Sequence, residues 1–170
     1  KMISSANIAR SFILMAEGSD ALINLQRLQS LIYVANGIHL INHDVPMLEE
    51  EFVADTFGPA IPSIGAHYAA WEDRPLRVPP NRTINTDLET AQSVRMAWLK
   101  ALELPGEQLC DLVCRENSPW AGVYAHGEHI IIPHSDSKAY FLQHFFPGVD
   151  LTKVNVGLSL VKPKKSRNRS

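Results

Sequence analysis

This sequence predicts a mainly α-helical fold, a compact single-domain bundle with a small extended or β element. Three observations carry that expectation. Apolar residues return at three- and four-residue spacings through most of the chain. Helix-start signals, a hydroxyl or acidic residue followed by proline or glutamate, recur ahead of those stretches. Within residues 1–148 only two short runs, Glu50 to Phe57 and Ile130 to Ile132, read as extended. At 170 residues, 45% hydrophobic and 20% charged, the chain is long enough to bury one core.

Ser4 or Ser5 caps a first helix through about Ala16, with Ile8, Phe12 and Met15 on one stripe and Gly18 closing it. The next helix is the longest and ends near Ile41. Its residues Leu25, Leu28, Leu31, Ile32, Ala35 and Ile38 build a wide apolar face for the centre of the core. Gly37 interrupts it at about 1 kcal/mol relative to alanine, which points to a close helix contact there. A polar turn with Asn42, His43, Asp44 and Pro46 follows.

In the extended run, Phe52, Ala54 and Thr56 share one face, and Val53, Asp55 and Phe57 the other. Pro59 or Pro62 opens a helix bearing Ile61, Ile64, Tyr68 and Trp71 at helical spacing. From Asp73 to Asn85, three prolines make a long connection. Thr86-Asp87-Leu88-Glu89 has capping-box spacing, with Thr86 as cap of a helix to about Leu102 whose buried stripe is Leu88, Ala91, Val94, Trp98 and Leu102. Pro105 starts a helix to about Glu116, and Ser118-Pro119 caps and starts a short one carrying Trp120 and Tyr124. Ile130 to Ile132 reads as a buried extended piece. Ser135 or Asp136 caps a last helix through Phe145. The domain spans 1–148, and 149–170 form a C-terminal extension. In that extension Val154 to Leu160 alternates like a strand, and Lys162 to Arg169 gathers five positive charges in eight residues.

A net charge of −2 argues against the uniformly basic face of a dedicated nucleic-acid binder, leaving the tail as the one basic arm. Cys110 and Cys114, the two cysteines, lie four apart in a helical pattern, where geometry disfavours a disulfide and reduced cytosolic thiols are the simplest reading. No apolar run reaches the roughly 18–20 residues of a membrane span, and the first residues lack a signal-peptide cleavage pattern, so a cytoplasmic location is expected.

His126, His129 and His134 with the two cysteines are the nearest approach to a zinc set, but the spacing matches no recognised site and buried thiols explain the cysteines more simply. His126-Gly127-Glu128 has the H-x-E of zinc deaminases without the P-C-x-x-C that completes the zinc shell. Nucleophile-elbow, phosphate-loop, dinucleotide and H-E-x-x-H motifs are all missing. The expectation is a protein with no catalytic residue, cofactor or metal, acting through contact with a partner.

Leu25-Gln26-Arg27-Leu28, then Leu31-Ile32-Tyr33, Gly37-x-His39-Leu40, Phe57-Gly58-Pro59, Asn117-Ser118-Pro119-Trp120 and Tyr140-Phe141 occur in an order that resembles the Panacea domain, also called the SocA-like antitoxin domain. The likeness spans Leu22 to Trp71 well and Leu109 to Phe145 more sparsely. It departs at Asp55, where such domains often carry an aromatic, and in the tail beyond Gly148. The resemblance implies a protein of prophages and mobile elements that neutralises a cognate toxin by direct binding. It assigns structural roles to Leu28, Tyr33, Gly37, His39, Phe57, Gly58, Pro59, Ser118, Pro119 and Trp120. Phe57 is expected to fill the core, with Gly58 held out of the helical region by the proline after it.

Partner contacts are expected on exposed charged stretches. Glu49, Glu50 and Glu51 form an acidic run suited to a basic toxin, and Arg74, Arg77 and Arg82 suit an acidic surface; solvation alone also accounts for both sets. The alternatives are a nucleic-acid-associated regulator using the basic tail, or a zinc-binding or hydrolytic protein using the His126 to His134 segment. Homo-oligomer formation is left open by the sequence, and a membrane partner is not expected.

Overall fold

The computed structural model describes residues 3–79 and 86–145. Seven α-helices and a three-stranded antiparallel sheet make up these residues: α1 (Ser5–Gly18), α2 (Leu25–His43), β1 (Val53–Asp55), β2 (Gly58–Ala60), α3 (Pro62–Tyr68), a 3-10 turn (Ala69–Trp71), α4 (Leu88–Leu102), α5 (Gln108–Cys114), α6 (Pro119–Tyr124), β3 (Ile130–Ile131) and α7 (His134–Phe145). This is the mainly α class with a small β element that the periodicity predicts. The basic tail, the strand-like Val154 to Leu160 and Arg82 lie outside the described residues. Among those described, no helix is long and apolar enough to cross a membrane.

Helix α2 is the axis of the molecule. Asn24 starts it, its side chain accepting from the Arg27 N–H at 2.9 Å, and every residue from Leu28 to Asn42 is buried. Helices α1, α3, α4, α5 and α7 and strand β2 all pack against it. A helix surrounded in this way has no solvent face, so its polar residues must find protein partners. Asn36 accepts from the Met47 N–H at 2.9 Å and meets His134 Nδ1 at 3.2 Å, while His39 Nδ1 meets Ser93 Oγ at 2.8 Å. Tyr33 reaches Ser137 Oγ at 2.7 Å and packs its ring against Phe52 and Phe141. Gly37 makes the close contact expected of it: a Cβ there would lie 2.0 Å from Phe141 Cδ2.

The remaining elements follow their local signals with several corrections. Ser4 caps α1 and Ser118 caps α6, each accepting from an N–H three residues on, and Pro62 rather than Pro59 sits in the first turn of α3. The cap of α4 is Asp87, which accepts from the Thr90 N–H at 2.7 Å, not Thr86. The buried stripe of α4 is Thr90, Ser93, Val94, Ala97, Trp98 and Ala101, whereas Leu88 and Leu102 are 70% and 55% exposed and Ala91 is exposed. Small side chains let α4 approach α2 closely, and the leucines at its ends lie beyond that contact. Helix α5 begins only at Gln108, because Gly106 holds φ at +64 in the turn after Pro105. Helix α7 begins at His134, which places Ser135 and Asp136 inside its first turn instead of at its cap.

The sheet order is β2-β1-β3, with Val53 opposite Ala60 on one side and Ile131 on the other. Ile130 and Ile131 are exposed, against expectation, because β3 is an edge strand; Ile132 alone turns inward.

Candidate functional site

The feature that stands out from this core is the β1–β2 hairpin. Phe52 and Ala54 point inward, the alternation expected of the run, and Thr56 and Phe57 form the two residues between the strands. Four contacts fix the hairpin's position. The Trp120 indole N–H donates to the Asp55 carbonyl at 2.7 Å. Gln29, buried in α2, accepts from the Ile61 N–H at 3.0 Å and donates to the Ile61 carbonyl at 3.2 Å, so its amide pairs with the backbone as a neighbouring strand would. Thr56 Oγ1 donates to Glu128 at 2.7 Å. Gly58 holds φ at +130 with Cys114 Sγ 2.8 Å from where a Cβ would stand, so only glycine fits there.

The consequence falls on Phe57, which is 73% exposed. The expectation that it fills the core is wrong, because a two-residue turn at the tip of a hairpin points away from the layer its strands cover. Among the described residues it is the one aromatic in the set of exposed large hydrophobics. Gly58 and Pro59, by contrast, are buried.

Beside Phe57 lies a cleft of about 400 Å³, lined by Leu25, Gln26 and Gln29 of α2, by the hairpin from Phe57 to Ala60, and by Gly65 of α3. Asp55, Glu72 and Asp73 also line it. Glu72 has φ 54 and ψ −125, in a tight turn closed by the Arg74 N–H donating to the Trp71 carbonyl at 2.9 Å. A non-glycine residue there is strained. A second cleft of about 330 Å³ shares Gln26 and Asp73 with the first. Arg27 lines it, but its guanidinium donates to the carbonyls of Ala101, Leu104 and Gly106, joining α2 to the C-terminal end of α4.

The acidic run does not act as one patch. Glu50 accepts from the hydroxyls of Ser5 and Ser63, tying α1 to α3; burial alone would raise its carboxyl, but these two donors hold it below the ordinary carboxylate value. Glu51 pairs with His134 Nε2 at 3.6 Å, and Glu49 is exposed. Arg74 folds back onto the carbonyls of Ala70 and Trp71 at 2.7 and 3.1 Å, with its guanidinium 5.5 Å from the Trp71 ring centre. Arg77 is exposed.

The histidines of the HGEHIIIPH stretch separate: His126 is exposed, His129 faces Asp55 at 3.8 Å and His134 faces Glu51. Among the described residues no three His, Cys, Asp or Glu side chains gather as a metal site. Both cysteines are free, and burial raises both thiols, Cys114 to about 12. Such thiols stay protonated and poorly nucleophilic at neutral pH.

Of the cleft residues, Gln29, Gly65, Glu72 and Asp73 carry no sequence signal of their own; the Leu25-Gln26 and Phe57-Gly58-Pro59 stretches of the family pattern are the pointers to this place. No protein-family model, curated protein or solved structure matches this chain.

Proposed function

We propose that this protein is a noncatalytic antitoxin of the Panacea type, which neutralises a cognate toxin in the cytoplasm by direct, stoichiometric binding. The observation that carries the reading is Phe57, a large aromatic left 73% exposed on a firmly anchored hairpin beside an apolar cleft. An aromatic held rigidly in water serves neither the core nor solubility, but it is the kind of anchor around which interfaces concentrate their binding energy. The ordered likeness of residues 22–71 and 109–145 to the SocA-like antitoxins supports a toxin as the partner.

Co-expression with the product of the adjacent gene tests this. The neighbour alone is expected to arrest growth, and this protein to restore it while forming a complex that survives gel filtration. A harmless neighbour, or one that stays toxic in the presence of this protein, would overturn the proposal.

A further inference from the structure

We infer that the cleft beside Phe57 receives a basic residue flanked by apolar ones from the partner protein. This rests on the binding role proposed above and names the partner's chemistry at that site.

The apolar part of the lining is Leu25, Pro59, Ala60 and Gly65, together with the exposed Phe57. Its charged lining residues, Asp55, Glu72 and Asp73, are all acidic. Asp55 is already engaged, accepting from the Thr56 N–H at 2.8 Å and facing His129. Glu72 and Asp73 are exposed, and among the described residues neither has an ion-pair partner. The adjacent cations serve other groups: Arg74 is folded onto the carbonyls of Ala70 and Trp71, and Arg27 onto those at the end of α4.

An apolar lining with an exposed aromatic and two carboxylates that form no ion pair among the described residues complements one kind of side chain in particular. A lysine or arginine lays its methylene stem on apolar surface, its charged head reaches the carboxylates, and a guanidinium also stacks on an aromatic face. A volume of about 400 Å³ accommodates such a side chain with an apolar neighbour. The strained turn at Glu72 fits the same picture, since it brings two consecutive acidic residues, Glu72 and Asp73, into the lining of the cleft.

The full chain is titrated with a blocked pentapeptide, GLRLG, and with its GLELG counterpart, while amide shifts are followed by NMR. The basic peptide is expected to move the resonances of Phe57, Gly65, Glu72 and Asp73 at millimolar concentration, with the acidic one at least tenfold weaker. Phe57→Ala is expected to weaken GLRLG at least tenfold, and the double variant Glu72→Lys/Asp73→Lys to reverse the preference between the peptides. A merely structural role for the turn would not produce that reversal. No shifts at these residues, equal response to both peptides, or an unchanged preference in the double variant would overturn the inference.

Neutralisation assays separate the two claims. If the wild-type chain neutralises and both variants neutralise equally well, the cleft assignment fails and the antitoxin reading stands. If the wild type neutralises nothing yet binds GLRLG selectively, the antitoxin reading fails and the cleft assignment stands.

Discussion

Gly37 and His39 stand two residues apart in the most crowded part of the molecule, and each makes a measurable demand. Replacing Gly37 with alanine would add helix propensity of about 1 kcal/mol. The new methyl would also sit 2.0 Å from Phe141 Cδ2 and 2.5 Å from Cε2, an overlap that must be relieved by moving a buried ring. Overpacking of this sort typically costs about 1–3 kcal/mol and here the upper end applies. Gly37→Ala should therefore lower the melting temperature by roughly 4–8 °C, and Phe141→Leu in the same chain should recover part of the loss. Calorimetry of the single and double variants decides it. His39 makes its demand through protons. Burial, then the neighbouring His43, pushes its imidazole from 6.5 down to about 4. The unfolded chain thus binds the proton more readily, and folding stability is fully present above pH 6.5 and drains away as pH falls toward 4. A shift of this size corresponds to about 3 kcal/mol at most. Denaturant titrations between pH 7 and pH 4 should show that loss, and His39→Gln should flatten it; an unchanged slope in the variant would mean that other groups carry the acid sensitivity.

The hairpin illustrates how an element of two three-residue strands is held in place. Two short strands with a two-residue turn would be marginal alone. Here the anchors come from distant parts of the chain: Gln29 from α2, Trp120 from α6 and Cys114 from the end of α5. Trp120→Phe would keep an aromatic ring stacked near Tyr124, 4.7 Å away, but remove the indole N–H that donates to Asp55. The expected effect is about 1 kcal/mol of stability, with faster hydrogen exchange confined to Val53–Ala60. Loss of protection spread evenly over α2 would argue against this local role. The sequence indicated an extended run at Glu50 to Phe57, but not its return strand. Phe57-Gly58-Pro59 carries few hairpin cues, and Pro59 weakens a strand assignment. The return strand is followed by Ile61, whose backbone N–H and carbonyl are both bonded by Gln29, some thirty residues earlier, an anchor that no local pattern reveals.

At the scale of the whole molecule, packing and the proposed recognition fall on different residues. Helices α1, α3, α4, α5 and α7 and strand β2 all pack against α2, so the described residues should unfold as one cooperative unit. The Phe57 side chain contributes little to this packing, being 73% exposed. Phe57→Ala is expected to leave the melting temperature within about 2 °C of wild type, since an exposed side chain contributes little to folding, while abolishing neutralisation in the co-expression assay. A variant that still protects cells would remove Phe57 as the anchor. By itself the sequence determined the helical class, the central helix, the close contact at Gly37, the cap at Ser118 and a serine cap for the first helix at Ser4 or Ser5, because periodicity and capping act between residues within a few positions of one another. Only the tertiary structure decided which face of α4 is buried, that Phe57 points out instead of in, that Glu50 and Arg74 serve their own backbone and neighbours, and that Glu72 and Asp73 meet Leu25 and Gly65 around one cleft. Those outcomes depend on which surfaces meet across long stretches of chain, and burial is settled by that meeting, not by the character of the residue alone.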